Sequence, residues 1–222
     1  MARKFHEPER IHKDKKIKEV QISQTNWKQN LKERLVDHIF IIKNMSNVLI
    51  NPLDANSEKE ILRTKVSFLM SFYDHCIHEI IKYKLIDIFN LEAPPTKKYF
   101  HFKVSMFNVK KAINDPQNPE WLKQEIEFQH GRLSFMNPDK TLEILELVTD
   151  TNLLNKYCIE NNLIYDDFIK KLSEINFRRN KIVHEMDIFN KLTGERGNIT
   201  SREVEEWINL IEVLLIYLID NI

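Results

Sequence analysis

At 222 residues, 42% of them hydrophobic and 30% charged, the chain has enough apolar material for one sizeable core, and its composition excludes the disordered and collagenous classes. Lys plus Arg and Asp plus Glu both number 33, so no global field draws the protein to nucleic acid or an anionic membrane, and any basic surface must be local. Only three glycines leave little for hairpins or Gly-rich phosphate loops, whereas abundant Leu, Ile, Lys and Glu predict helix.

Residues 1–22 form a basic arm, in which "MARKFHEPERIHKDKKIKEV" sets seven Lys and Arg against four acids. By sequence this arm is where a local basic patch would lie, and the plainer reading is a solvated, flexible segment. It is too charged for a signal peptide. From residue 23 to 222 the chain reads as one helical domain. Trp27, Leu31, Leu35, Ile39, Ile42, Met45 and Leu49 recur at helical spacing and predict an amphipathic helix ending before Pro52. Ser57 to Glu60, "SEKE", has the form of a capping box opening a long helix that runs to about Phe89, ahead of Pro94 and Pro95.

Within that helix "DHCIHE" sets Asp74 and His78 four apart and His75 and His78 three apart. Three readings stay open: a partial metal site, polar groups facing a functional cleft, or an intrahelical pair. Phe68, Phe72 and Tyr73 read as core. The alternating "YFHFKVSMF" is expected to be a loop leading into a short helix from Ser105. There Tyr99, Phe100 and Phe102 interleave with Lys97, Lys98 and Lys103, as in a base-stacking surface or a solvated loop beside the core. His130 and Arg132 flank Gly131 in a turn with no evident chemistry.

Asn118 and Asn137, each followed by Pro and soon by an acid, predict two further helix starts. From Tyr165 a helical stripe of Phe168, Ile169, Leu172, Ile175, Ile182 and Met186 carries "RRNKIVHEMD" in its second half. The loop "NKLTGERGN" follows. Thr200 and Glu203 then cap a last helix whose apolar face is wide enough to demand burial on more than one side, in the core or in a subunit interface. Its run "VLLIYLI" is too short to span a bilayer. Cys76 and Cys158 lack CxxC spacing, which suits a reducing cytoplasm better than a disulfide framework.

The stretch Arg178 to His184 concentrates groups suited to phosphodiester chemistry. Imidazole, with an unperturbed pKa of about 6.5, exchanges protons near neutrality, and guanidinium presents a charged fork that matches phosphate oxygens. On a regular helix Asn180 and His184 share a face, but Arg179, five residues before His184, points roughly 140° away. Either a helix irregularity or a second copy across a twofold axis would be needed to close both groups on one phosphate.

"RNKIVH" matches the R-N-x-x-x-H form of the R-x(4–6)-H signature of HEPN domains, and the chain resembles the RiboL-PSP branch of that superfamily. Further likeness lies in "ILRTKVSFLMSFYDHCIHEIIKYKLIDIF", in "SFMNPDKTLEILELV", and in the motif followed by "VEEWINLIEVLLIYLI". It covers roughly Trp27 to Ile222. The resemblance implies an all-α HEPN-like helical bundle with additional helices, acting as a homodimer. The implied activity is that of an endoribonuclease needing no cofactor and no metal, which cuts RNA by internal 2′-OH attack in bacterial defence, as a toxin or abortive-infection effector. An antitoxin or other regulatory protein would be a further partner; no membrane is implied. Carried over by position, Arg179 is the family arginine, Asn180 its polar companion and His184 its histidine, with Arg178 also satisfying the looser spacing; Asp74 or His78, on the reading of their helix as facing the cleft, would be supporting groups that orient His184 or the substrate. The tyrosine that some such toxins carry after the histidine is replaced here by Glu185, Met186 and Asp187. A non-catalytic HEPN-type module that binds RNA or protein is the alternative.

Overall fold

The computed structural model describes residues 26–48 and 55–222; the basic arm of residues 1–22 lies outside them, as do Leu49 and Pro52. Among the described residues the architecture is all-α apart from one small hairpin. The helices are α1 (Trp27–Asn44), α2 (Ala55–Phe89), α3 (Met106–Asn114), α4 (Glu120–His130), α5 (Pro138–Leu145), α6 (Leu153–Glu160), α7 (Tyr165–Glu185) and α8 (Ser201–Asn221). Strands β1 (Ile188–Asn190) and β2 (Glu195–Arg196) pair antiparallel between α7 and α8, where sequence alone suggested only a loop. Gly194, at φ +71°, turns this hairpin.

The caps follow local chemistry. Ser105 Oγ accepts from the amide of Asn108, Asn137 from Asp139 and Lys140, and Thr200 from Glu203. Asn118 accepts from the amide of Glu120 at 3.0 Å, with α4 opening just beyond Pro119. Asn152 does the same for α6, whose start had not been anticipated. The capping box expected at Ser57 is not at a helix start, because α2 already runs from Ala55. The Glu60 carboxylate is taken by Arg63 and Arg196.

At 35 residues, α2 is about 52 Å long by helical rise and forms the spine. Lys65 donates to the Lys43 carbonyl and Trp27 Nε1 to Asp87 Oδ2, at 3.0 Å each, so α1 runs antiparallel to α2. Ser201 meets Glu58 and Lys84 meets the Ile222 carbonyl, so α8 runs parallel to it. Leu31, Leu35, Ile39 and Ile42 of α1 are buried against Leu69, Ile77 and Ile80 of α2 and Ile208, Ile211 and Leu215 of α8 within one core. The wide face of α8 is therefore covered by its own chain, mainly by α1 and α2. Phe72 and Tyr73 are core as expected, but Phe68 is half exposed on the side of α2 that borders a crevice with Arg34 and His38.

Two polar ties fasten α4 and α5 to α2. Asp74 Oδ1 accepts from the Phe135 amide at 2.5 Å, and the buried Tyr73 hydroxyl meets Thr141 Oγ1 at 2.9 Å. His130 is buried beside His78, Phe102 and Phe135. Burial, reinforced by His78, pushes the His130 imidazole down to about 4. The unfolded chain protonates this side chain near its ordinary value while the folded chain keeps it neutral, so unfolding takes up a proton and stability falls as pH drops from about 6.5 to about 4. In that window the His130→Phe variant should lose less stability per pH unit than the parent in urea titrations; identical slopes would show that His130 does not contribute.

Candidate functional site

The motif lies at the C-terminal end of α7, which is held by an unusual arrangement of charge. Phe168, Leu172 and Ile175 bury one stripe of the helix against α2 and α6, and that stripe, continued, passes through Arg179 and Ile182. The helix stops at Met186 and Asp187, both left-handed at φ +51° and +61°, and the Asp187 amide donates back to the Lys181 carbonyl at 2.8 Å, as in a Schellman turn. Met186, expected on the apolar stripe, is this cap and is 67% exposed. Asp187, by contrast, is fully buried.

The Asp187 carboxylate sits between two guanidinium groups. Arg63 Nε from α2 donates to Oδ2 at 2.7 Å, and Arg178 Nη2 donates to the same oxygen at 2.9 Å while its Nε lies 2.9 Å from Oδ1. Arg63 also donates to the Gly197 carbonyl and to Glu60, and Arg178 to the Asn198 carbonyl. Arg196 completes the arrangement by bridging the Met186 carbonyl and Glu60; the Arg196 hydrogen bond, above all, holds the Glu60 carboxyl below its usual range. Gly197 is required here for space: a Cβ would come within 2.7 Å of both the Arg178 guanidinium and the Phe189 ring. Arg178 cannot easily give way, because Asp187 clamps it.

This separates the two arginines of "RRN". Arg178 is occupied by a buried carboxylate. Among the described residues Arg179 has no carboxylate partner: its Nη1 donates to Asn180 Oδ1 at 3.1 Å, and its buried Nε makes no hydrogen bond. Asn180 is thus the bridge between the guanidinium and the face it shares with His184. His184 is exposed and makes no hydrogen bond or ion pair among the described residues. On the same face, Phe177 is 55% exposed, and Lys181 reaches Glu185 at 2.7 Å while lying over the Phe177 and Phe189 rings.

Because α7 is helical without interruption to Glu185, no irregularity brings Arg179 and His184 to one point in a single copy. Asp74 and His78 are not drawn to the motif either. Asp74 is engaged by the loop before α5, and His78 lies 4.0 Å from Asp74 and against Phe135. Along α2 they stand 11 and 15 residues beyond Arg63, or about 16 and 22 Å by helical rise. His75 faces Phe72 instead, and no three potential metal ligands converge among the described residues. The residues that sequence reasoning missed are Asp187 and Arg63, whose pairing spans 124 positions and leaves no local pattern.

No protein-family model, curated protein or solved structure matches the chain, so the site rests on its own geometry. That geometry predicts opposite behaviour for adjacent arginines. Arg178→Ala leaves Asp187 short of one counter-charge and should destabilise the fold by about 3 kcal/mol, whereas Arg179→Ala should shift the thermal midpoint by less than a few degrees. Circular dichroism melts of the two variants check this, and equal losses would contradict the division of roles.

Proposed function

We propose that the protein is a metal-independent endoribonuclease that cleaves RNA by internal 2′-OH attack, with two copies sharing a cleft lined by Arg179, Asn180 and His184. The observation that carries this reading is the contrast between the arginines: Arg178 is spent on Asp187, while Arg179 is held, among the described residues, by Asn180, which stands one turn from an exposed His184. A structural patch would neutralise both guanidinium groups, whereas an anion site keeps one available.

In the reaction, one imidazole takes the 2′-OH proton as the 2′ oxygen bonds to phosphorus, and a second protonates the 5′ oxygen as its bond to phosphorus breaks. The products are a 2′,3′-cyclic phosphate and a free 5′-hydroxyl. Two His184 side chains related by a twofold axis supply the base and the acid. Arg179, directed by Asn180, holds the nonbridging oxygens and stabilises the charge that builds on them. A second copy is further favoured by the exposed aromatics Phe177 and Phe189 beside the motif, which would be covered at such an interface. A nuclease of this kind fits a bacterial toxin or anti-phage effector, held in check by an antitoxin or other regulatory protein, in the cytoplasm. No helix among the described residues is long and apolar enough to cross a membrane.

Purified protein should cut a labelled single-stranded RNA in EDTA, leaving cyclic phosphate ends, and His184→Ala should lower the rate by about 10² to 10⁴ with an unchanged melt. Full activity of that variant would sink the assignment of His184. Tight RNA binding by the parent protein without cleavage would favour a non-catalytic HEPN-type binding module.

A further inference from the structure

The segment from Lys97 to Asn114 carries five lysines and no acid in a chain of zero formal charge, and its apolar side chains divide in a telling way. Tyr99 and Phe102 pack against the core. Phe100, Met106, Phe107 and Ile113 face outward, between 70% and 81% exposed, although nothing in an isolated soluble helix requires large apolar groups there. Three of the lysines, Lys97, Lys103 and Lys110, are exposed with no side-chain partner among the described residues; Lys98 pairs with Glu146, and Lys111 donates to Gln124 Oε1 while lying 4.3 Å over the Phe107 ring.

A buried anchor presents this surface as a rigid one. Glu125 of α4, only 1% exposed, accepts from Ser105 Oγ at 2.6 Å, Asn108 Nδ2 at 2.7 Å and Gln129 Nε2 at 2.6 Å. Burial alone would push its carboxyl up, but those bonds, led by Gln129, hold it below the usual range. The inner face of α3 is thereby fixed to α4, and the outer face is left bare.

We infer that this face, from Phe100 through α3, is a binding platform for single-stranded RNA, distinct from the cleavage motif; the inference rests on RNA being the ligand of the protein. Exposed rings offer stacking to any base, and lysines without acidic partners offer charge to the backbone. An anionic membrane is the competing occupant, but a helix that inserts into lipid segregates its charges to the polar side. On α3, Lys110 lies at the centre of the exposed arc, flanked by Met106, Phe107 and Ile113 by helical spacing. Alternation of charge and ring suits a ligand that is itself alternately phosphate and base. The platform begins beside His130, which meets α2 at His78, about 22 Å along α2 from the Arg63 level of the motif. A dinucleotide could not reach both, so the platform would hold longer RNA while the motif cuts it.

The test is anisotropy of a fluorescein-labelled 20-nucleotide oligouridine with the His184→Ala protein, so that binding is read without cleavage. Phe100→Ala with Phe107→Ala should weaken binding about 10- to 100-fold. Lys103→Gln with Lys110→Gln should reduce the slope of log affinity against log salt by about 1.4. Affinity and salt slope unchanged in both double variants would overturn the inference, as would loss of binding to phosphatidylserine vesicles in those variants while RNA binding persists. A parent protein that binds oligouridine through this face but cuts no RNA would fail the nuclease assignment alone and leave the platform standing.

Discussion

A carboxylate with no access to water, clamped between two guanidinium groups, decides what the end of α7 can be. Asp187 draws Arg63 from the first turns of α2 and Arg178 from the last turns of α7, and in doing so it ties together elements 124 residues apart. A buried charge is tolerable only when paired and hydrogen-bonded, so the left-handed turn at Met186 and Asp187, the hairpin and the bare position at Gly197 all serve the same pairing. With Arg178 committed, Arg179 and His184 are left on a rigid support and unspent. Rigidity behind a site and freedom at its surface are the conditions under which a guanidinium can meet a phosphate without reorganising.

Helix is what this sequence states most clearly. Apolar spacing located α1 and the stripe of α7, and Ser105, Asn137 and Thr200 signal their helix starts through side chains that cap amides two or three residues on. These features are local, and local chemistry decides them. The capping box at Ser57 failed because the same four residues lie within an established helix, where Glu60 has a stronger partner in Arg196. Met186 failed for a related reason: its spacing continues the stripe, but the chain has already turned left-handed. The hairpin is only three and two residues long, too short for alternation to register. Asp187 was the least legible, since an acid just after a helix reads as solvated and its burial depends on an arginine far away in sequence.

The site divides in the same manner. Residue types and spacing singled out Arg178, Arg179, Asn180 and His184 together, but only tertiary contacts distinguish the arginine that supports the fold from the one that is available. Asp74 and His78, equally suggestive by spacing, are engaged with the α4–α5 connection. The five-residue offset between Arg179 and His184, preserved by an unbroken α7, leaves each copy with two groups on different sides of one helix. Under the proposed function that incompleteness is the reason for a second copy.

The most direct measurement mixes the parent with an inactive protein. If one cleft takes a His184 side chain from each copy, an equal amount of His184→Ala protein, silent alone, should after subunit exchange lower RNA cleavage in EDTA to about half of what the same amount of parent gives by itself, since half of the parental copies would then sit in mixed dimers with one imidazole. Cleavage undiminished by the variant, with mixed dimers shown to form, would contradict a cleft shared between two copies.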